Sequence, residues 1–146
     1  MSPDLQPGIQ FEWTYTIPPR ATVPQLYHDT AFCRDMPDVL ATGYLVGLME
    51  LACINGLMPY VDWPREQSVG TMVNFTHLAA SPPGMTLTIG GELTAVDGRR
   101  LMLKVESWDG LDKVCEGTHQ RAIIAPDRFN AKLAEKKARA EAAAKI

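Results

Sequence analysis

The chain has 146 residues, 46% of them hydrophobic and 21% charged, with a formal net charge of -3. That length and mixture suit one globular domain with a real core, as in a soluble protein. The acidic balance gives no electrostatic reason to expect nucleic acid as a partner.

The charge is unevenly placed. From Asp127 onward there are six basic and three acidic residues, against eight basic and fourteen acidic before it. An acidic body therefore carries a basic tail. Cys33, Cys53 and Cys115 are widely spaced and odd in number, which suggests neither a disulfide framework nor a zinc site. The start carries Asp4 and Pro7 without a basic, apolar or cleavage pattern. No secretory leader is predicted, and a reducing cytoplasm is the expected setting.

Residues 1–8 read as a loose start. Ile9–Thr16 alternates apolar and polar side chains and is rich in aromatics and threonine, the pattern of a half-buried strand stopped by Pro18-Pro19. Ala21–Leu40 is irregular, with a helical turn near Val23–Tyr27, and carries Phe32, Met36 and Pro37. A loop of that length is more often functional than idle.

A central helix is predicted over about residues 43–58. Thr42 is read as its N-cap, and Pro59 ends it. Apolar residues (Leu45, Val46, Leu48, Met49, Leu51, Ile54, Leu57) point every way, so the helix is expected to be buried all round. Lipid is not the solvent, since a span needs about 20 apolar residues and Glu50, Asn55 and Gly56 interrupt this one. Glu50 is the helix's single charged side chain. A buried carboxylate must be partnered, protonated or in contact with a wet cleft. Two readings follow: a structural glutamate paired with a distant arginine, or a catalytic carboxylate.

Asp62–Gln67 is a polar connection, and Ser68–Leu78 a strand that ends in the turn Ser81-Pro-Pro-Gly84. Met85–Val96 and Leu101–Trp108 flank the hairpin signal Asp97-Gly98, Asp109-Gly110 turns again, and Lys113–Ala125 is the last strand. The expected fold class is α+β, with five strands in an antiparallel sheet wrapped around one apolar helix. Beyond Phe129 and Leu133 the tail has high helix propensity but no apolar stripe. It reads as an extra, solvated C-terminal helix, loose from about residue 134. The rival reading of that tail is that its lysines meet the anionic groups of a ligand.

Specific blocks carry a closer likeness. They are Ala41-Thr-Gly-Tyr-Leu-Val-Gly-Leu-Met-Glu-Leu-Ala-Cys53, Val69-Gly-Thr71, Thr76-His-Leu-Ala-Ala-Ser-Pro-Pro-Gly84 and Gly117-Thr-His-Gln-Arg-Ala122, with Val96–Leu101 and Phe129–Lys132. In unbroken order from Gly8 to Lys132, they resemble the fluoroacetyl-CoA thioesterase-like family of hotdog-fold thioesterases. The resemblance implies a hydrolase of short acyl-CoA esters, working as a homodimer with its active sites at the subunit interface. It implies no cofactor, coenzyme A being part of the substrate, and no nucleic-acid or membrane partner.

The family's catalytic threonine, glutamate and histidine fall on Thr42, Glu50 and His77. Its strand glycine near the thioester carbonyl falls on Gly70, and an arginine near the coenzyme on Arg121. Where the fluoroacetyl specialist has phenylalanines beside the acyl group, this chain has Cys33 and Met36, with Phe32 one residue away.

The chemistry suits these residue types. Thioester hydrolysis needs an attacking oxygen, a base near neutral pH and donors for the developing oxyanion. A histidine supplies the base or acid, and a glutamate can orient the imidazole, activate water or attack the carbonyl itself. Amides at the start of the helix, or at Gly70, can hold the oxyanion. Eight residues separate Thr42 from Glu50, roughly 80° of rotation and about 12 Å of rise on an ideal helix. The two cannot touch on one straight helix. Either Thr42 reaches the site from a cap, through His77, or the site mixes residues of two subunits.

Residues outside that set read as structural. His119 is taken as a surface residue near the end of the last strand, and with His28 it forms no chelating pattern, so no metal is expected. Cys53 lies on the buried helix and is expected to be inert. A hotdog hydratase would carry an Asp and His pair near the central helix, which lacks both. The alternative of another class is a non-catalytic module that binds acyl-CoA or small carboxylates.

Overall fold

The computed structural model describes residues 1–145 of the chain. The first strand, β1 (Gln10–Thr16), keeps its alternation: Phe11, Trp13 and Tyr15 turn inward while Gln10, Glu12, Thr14 and Thr16 face out. The loop after it holds a short helix, α1 (Val23–Leu26), and a 3-10 turn over Ala31–Asp35 that the sequence pattern did not reveal. The central helix α2 (Thr42–Leu57) follows and ends one residue before the Met58–Tyr60 turn that contains Pro59. Four strands complete the sheet: β2 (Gln67–His77), β3 (Thr86–Asp97), β4 (Arg100–Trp108) and β5 (Lys113–Ile124).

All pairings are antiparallel, and the strand order is β1-β3-β4-β5-β2. Only β3–β5 form a meander, because β2 crosses to the far edge and pairs with β5. This is the hotdog arrangement, with the sheet curved around α2. Leu45, Leu48, Met49, Ala52, Cys53 and Leu57 of the helix pack on the inward residues Leu87, Ile89, Leu93, Leu101, Leu103 and Val105. Near the C-terminal end of the helix the contact is tightest at Phe11. A Cβ on Gly56 of the helix or on Gly91 of β3 would overlap its ring, so glycine is required on both sides.

The helix is not buried all round. A sheet can cover only one side of it. The opposite stripe, with Gly43, Gly47, Leu51 and Met58, is exposed in the single chain. The first eight residues, expected to be loose, lie on the body: Leu5 is buried, the Ser2 amide bonds the Tyr60 carbonyl and the Gly8 amide bonds the Leu93 carbonyl. A single buried leucine and two backbone bonds are signals too short for a periodicity argument.

The final helix α3 (Pro126–Ala144) buries no side chain, as its missing apolar stripe requires. Residue 146 of the predicted loose tail lies outside the described residues. Among the described residues no helix is long and apolar enough to cross a membrane.

Candidate active site

The lead into α2 is fixed by the backbone. The Ala41 amide bonds the Ala21 carbonyl and the Leu40 amide bonds the Ser81 carbonyl at 2.8 Å. Ser81 in turn donates its hydroxyl to Asp109 Oδ2 at 2.8 Å, so the β4–β5 turn holds the same segment. Ala41, not Thr42, occupies the N-cap, and no side chain caps the helix. The expected capping role of Thr42 is therefore corrected. Thr42 is the first helical residue, and its hydroxyl lies 2.8 Å from His77 Nδ1 at the end of β2. Lying inside the helix rather than before it, Thr42 turns its hydroxyl toward the end of β2 instead of back onto the first-turn amides. His77 Nε2 is buried and, like Ser107 Oγ, has no hydrogen-bond partner among the described residues.

Two turns along the same helix the arrangement is different. Glu50, its side chain 41% exposed, accepts a 2.9 Å hydrogen bond at Oε2 from Arg121 Nη1. The arginine is only 2% exposed, and each nitrogen of its guanidinium has a partner. Nε donates to Ser68 Oγ at 2.8 Å, Nη2 to the Ser68 carbonyl at 2.8 Å, and Nη1 also reaches His119 Nε2 at 3.1 Å. A buried guanidinium needs such compensation, since an unpaired one costs several kcal/mol. Gly70 completes the enclosure: a Cβ there would overlap Glu50 Oε2.

His119 is fully buried, which corrects its expected surface position. Its Nδ1 donates to the Met72 carbonyl at 2.8 Å, leaving Nε2 as the acceptor for Arg121. Burial pushes its pKa below the ordinary value. Arg121 adds to that shift, against the opposing pull of the Met72 carbonyl and Glu50, so the ring stays neutral. Sequence reasoning missed this residue, although the signal was present. Along β5, His119 alternates in phase with Cys115, Arg121 and Ile123, all of which face inward.

Of the expected residues, the fold thus brings Thr42 to His77, and Glu50 to Gly70 and Arg121. It does not bring Glu50 to His77: no hydrogen bond or ion pair joins them within the chain, among the described residues. Phe32 and Met36 lie on and just after the 3-10 turn, 74% and 46% exposed. Along the exposed stripe of α2, on its β1 and α1 side, lies a cavity of ≈ 550 Å³ lined by Gly43, Gly47, Leu51, Leu26 and the hydrogen-bonded pair Tyr15–Tyr44. The cysteines supply no thiolate here. Burial pushes the Cys53 thiol up to about 12 and the Cys115 thiol up to about 11.

Residues 26–127 match the family described as fluoroacetyl-CoA-specific thioesterase. The chain belongs to that family. The membership makes it a thioester hydrolase. A fluoroacetyl-CoA thioesterase of Streptantibioticus cattleyicolor is 43% identical over 136 residues, spanning 93% of this chain and 97% of that protein. A solved threonine-to-alanine variant of a fluoroacetyl-CoA thioesterase, in complex with fluoroacetate, superposes with a TM-score of 0.85 at 43% identity, covering 90% of this chain and 98% of that one. A threonine-to-serine variant in complex with acetyl-CoA gives a TM-score of 0.86 at 43% identity, with 90% and 98% covered.

Proposed function

We propose that this family member hydrolyses short-chain acyl-CoA thioesters as a homodimer, with Thr42 and His77 of one copy facing Glu50 of the other. The observation that carries the reading is the 2.8 Å bond from Thr42 to His77 at the exposed start of α2. It prepares a hydroxyl and an imidazole for proton transfer at the positive end of a helix dipole. The relatives solved with fluoroacetate and with acetyl-CoA support a two-carbon acyl group as the core of the substrate range.

The shared site follows from the geometry of one helix. Thr42 and Glu50 stand about 12 Å apart along the axis of α2, too far to serve one carbonyl from a single chain. Both flank the stripe that the sheet leaves uncovered. If two copies of α2 cross antiparallel about Val46, Thr42 of each lies opposite Glu50 of the other. Gly43 and Gly47 on that stripe allow a close approach. The exposed Leu51 and Met58 would be covered in the same step.

In this arrangement Arg121 holds the Glu50 side chain in place, aimed at the thioester. That carboxylate either attacks the carbonyl or activates water against it, while His77, through the Thr42 hydroxyl, manages the proton that the departing thiolate needs. First-turn amides of α2, which have no carbonyl four residues back, can receive the oxyanion. The three free cysteines agree with a cytoplasmic setting.

Release of coenzyme A from a panel of short acyl-CoAs tests the activity. Binding without turnover would return the chain to the class of acyl-CoA sensors. Gly47→Leu tests the shared site, because nothing lies within 4 Å of a Cβ at Gly47 in the single chain. The variant should fold, become monomeric by light scattering and lose activity. A dimeric, fully active Gly47→Leu protein would refute the crossing.

A further inference from the structure

Beyond the end of β5, on the far side of Arg121 from His119, lies a cavity of ≈ 240 Å³ that the chemistry above does not use. Its walls are the backbone run Ile123–Ala125, the ring of Phe129 and three cations, Arg99, Arg128 and Lys132. Arg99 is placed by the β3–β4 hairpin, whose carbonyl at Arg99 receives the Ile123 amide at 2.8 Å. Arg128 and Lys132 are four residues apart on α3 and therefore share a face, with Phe129 beside Lys132 one turn away. No carboxylate lines the cavity, and none of the three cations forms an ion pair among the described residues. Acidic neighbours are Asp127, Asp97 of the same hairpin as Arg99, and Glu66, which is bonded to the amino terminus.

In a chain of net charge -3, three unpaired cations converging from two elements need a reason. Phosphates are the ligand that such a group recognises best, through charge-assisted hydrogen bonds. The partly exposed Phe129 adds a flat apolar surface on which a heteroaromatic base can stack. We propose that Arg99, Arg128 and Lys132 bind the phosphates of the nucleotide end of coenzyme A, with Phe129 as the platform beside them. The proposal rests on the acyl-CoA reading above and adds the part of the substrate that the catalytic residues do not touch.

The distances agree. From Arg121, which holds Glu50, to Ala125 is four residues of strand, about 13 Å. The pantetheine arm has about as many backbone atoms as four residues and spans roughly 15 Å when extended. A thioester at Glu50 would thus carry its phosphates to this cavity. The site also gives the basic start of α3 a role, while the rest of that helix stands clear of the body.

The test compares hydrolysis of acetyl-CoA with that of acetyl-pantetheine, which keeps the thioester and arm but has no nucleotide. In the triple variant Arg99→Gln, Arg128→Gln, Lys132→Gln, the preference for the CoA ester should fall roughly ten-fold or more, through KM rather than kcat. The charge-retaining variant Arg99→Lys, Arg128→Lys should recover most of it. An unchanged preference, or equal losses on both substrates, would overturn the proposal. If the wild type hydrolyses neither ester, the thioesterase reading fails on its own, and calorimetry with coenzyme A decides this one. Weaker binding by the triple variant sustains the site, and equal binding removes it. Inorganic phosphate competing as well as coenzyme A would also remove it, as a general anion site.

Discussion

The two ends of α2 carry the two halves of the chemistry, and they are built in opposite ways. At Glu50 the carboxylate is held by an arginine that is itself tied to Ser68, to the Ser68 carbonyl and to a buried histidine. At Thr42 a single hydrogen bond joins an exposed hydroxyl to an imidazole whose other nitrogen has no partner among the described residues. The first arrangement fixes a side chain in place through a chain of hydrogen bonds. The second leaves a proton free to move. A hydrolase needs both: an anion that does not wander, and an acid–base group whose bonds can be remade during turnover.

The contrast predicts that the two ends fail differently. His77→Ala should lower kcat/KM by roughly 10²–10⁴-fold with little change in stability, since it removes one side-chain hydrogen bond, to the exposed Thr42 hydroxyl. Glu50→Gln should lose activity on a similar scale and also destabilise by about 1–2 kcal/mol, because Arg121 loses its counter-charge at a half-exposed pair. The double variant should be far less impaired than the product of the single losses, as groups that act together are not additive. Kinetics and thermal unfolding of the three proteins check all of this. Near-normal turnover in either single variant would reduce Glu50 to a structural partner of Arg121. Trapping with hydroxylamine during turnover then distinguishes an acyl-glutamyl intermediate from an activated water.

The held end should also leave a mark on stability. His119 is neutral in the fold, with its pKa below the ordinary value. As pH falls below about 6.5 the unfolded chain takes up a proton that the folded one refuses. His119 therefore contributes stability above that pH, which is lost progressively as pH falls through its folded pKa. His119→Gln should cost about 1–3 kcal/mol at pH 8 by disturbing the contacts to Met72 and Arg121. It should also flatten the pH dependence just below 6.5. An unchanged slope in denaturant melts across that window would show that His119 is not the group responsible.

Substrate choice tests the open end. Met36 is 46% exposed and flexible, and Phe32 is 74% exposed in the single chain. Without a rigid aromatic gate the enzyme should treat acetyl-CoA and fluoroacetyl-CoA within about ten-fold of each other, the scale on which apolar pockets separate small isosteres. Strong preference for the fluorinated ester in side-by-side kinetics would locate the gate elsewhere. The smallest effect is expected from the tail. Truncation after Lys132 leaves every buried residue in place and should change neither melting temperature nor kcat appreciably. A marked rise in KM would extend the ligand contacts further along α3.

Much of this protein was determined locally and could be read without the fold. Strand boundaries came within a residue or two, because inward and outward side chains alternate with period two whatever the partner strand is. The end of α2 before Pro59 and the exposed course of α3 are equally local, one set by a missing donor and the other by a missing apolar stripe. The sequence also held both fates of Glu50, partnered by a distant arginine or catalytic. The fold realises the first, and the proposed mechanism adds the second.

Tertiary structure alone decided the rest. Arg121 meets Glu50 across 71 residues of chain, and Thr42 meets His77 across 35. No periodicity encodes such meetings, which depend on β2 crossing to the far edge and lying against β5. The same crossing turned Thr42 from a cap into a partner for histidine, and it placed His119 in the core. It also left one stripe of an apolar helix bare, because a single sheet can cover only one side of a cylinder.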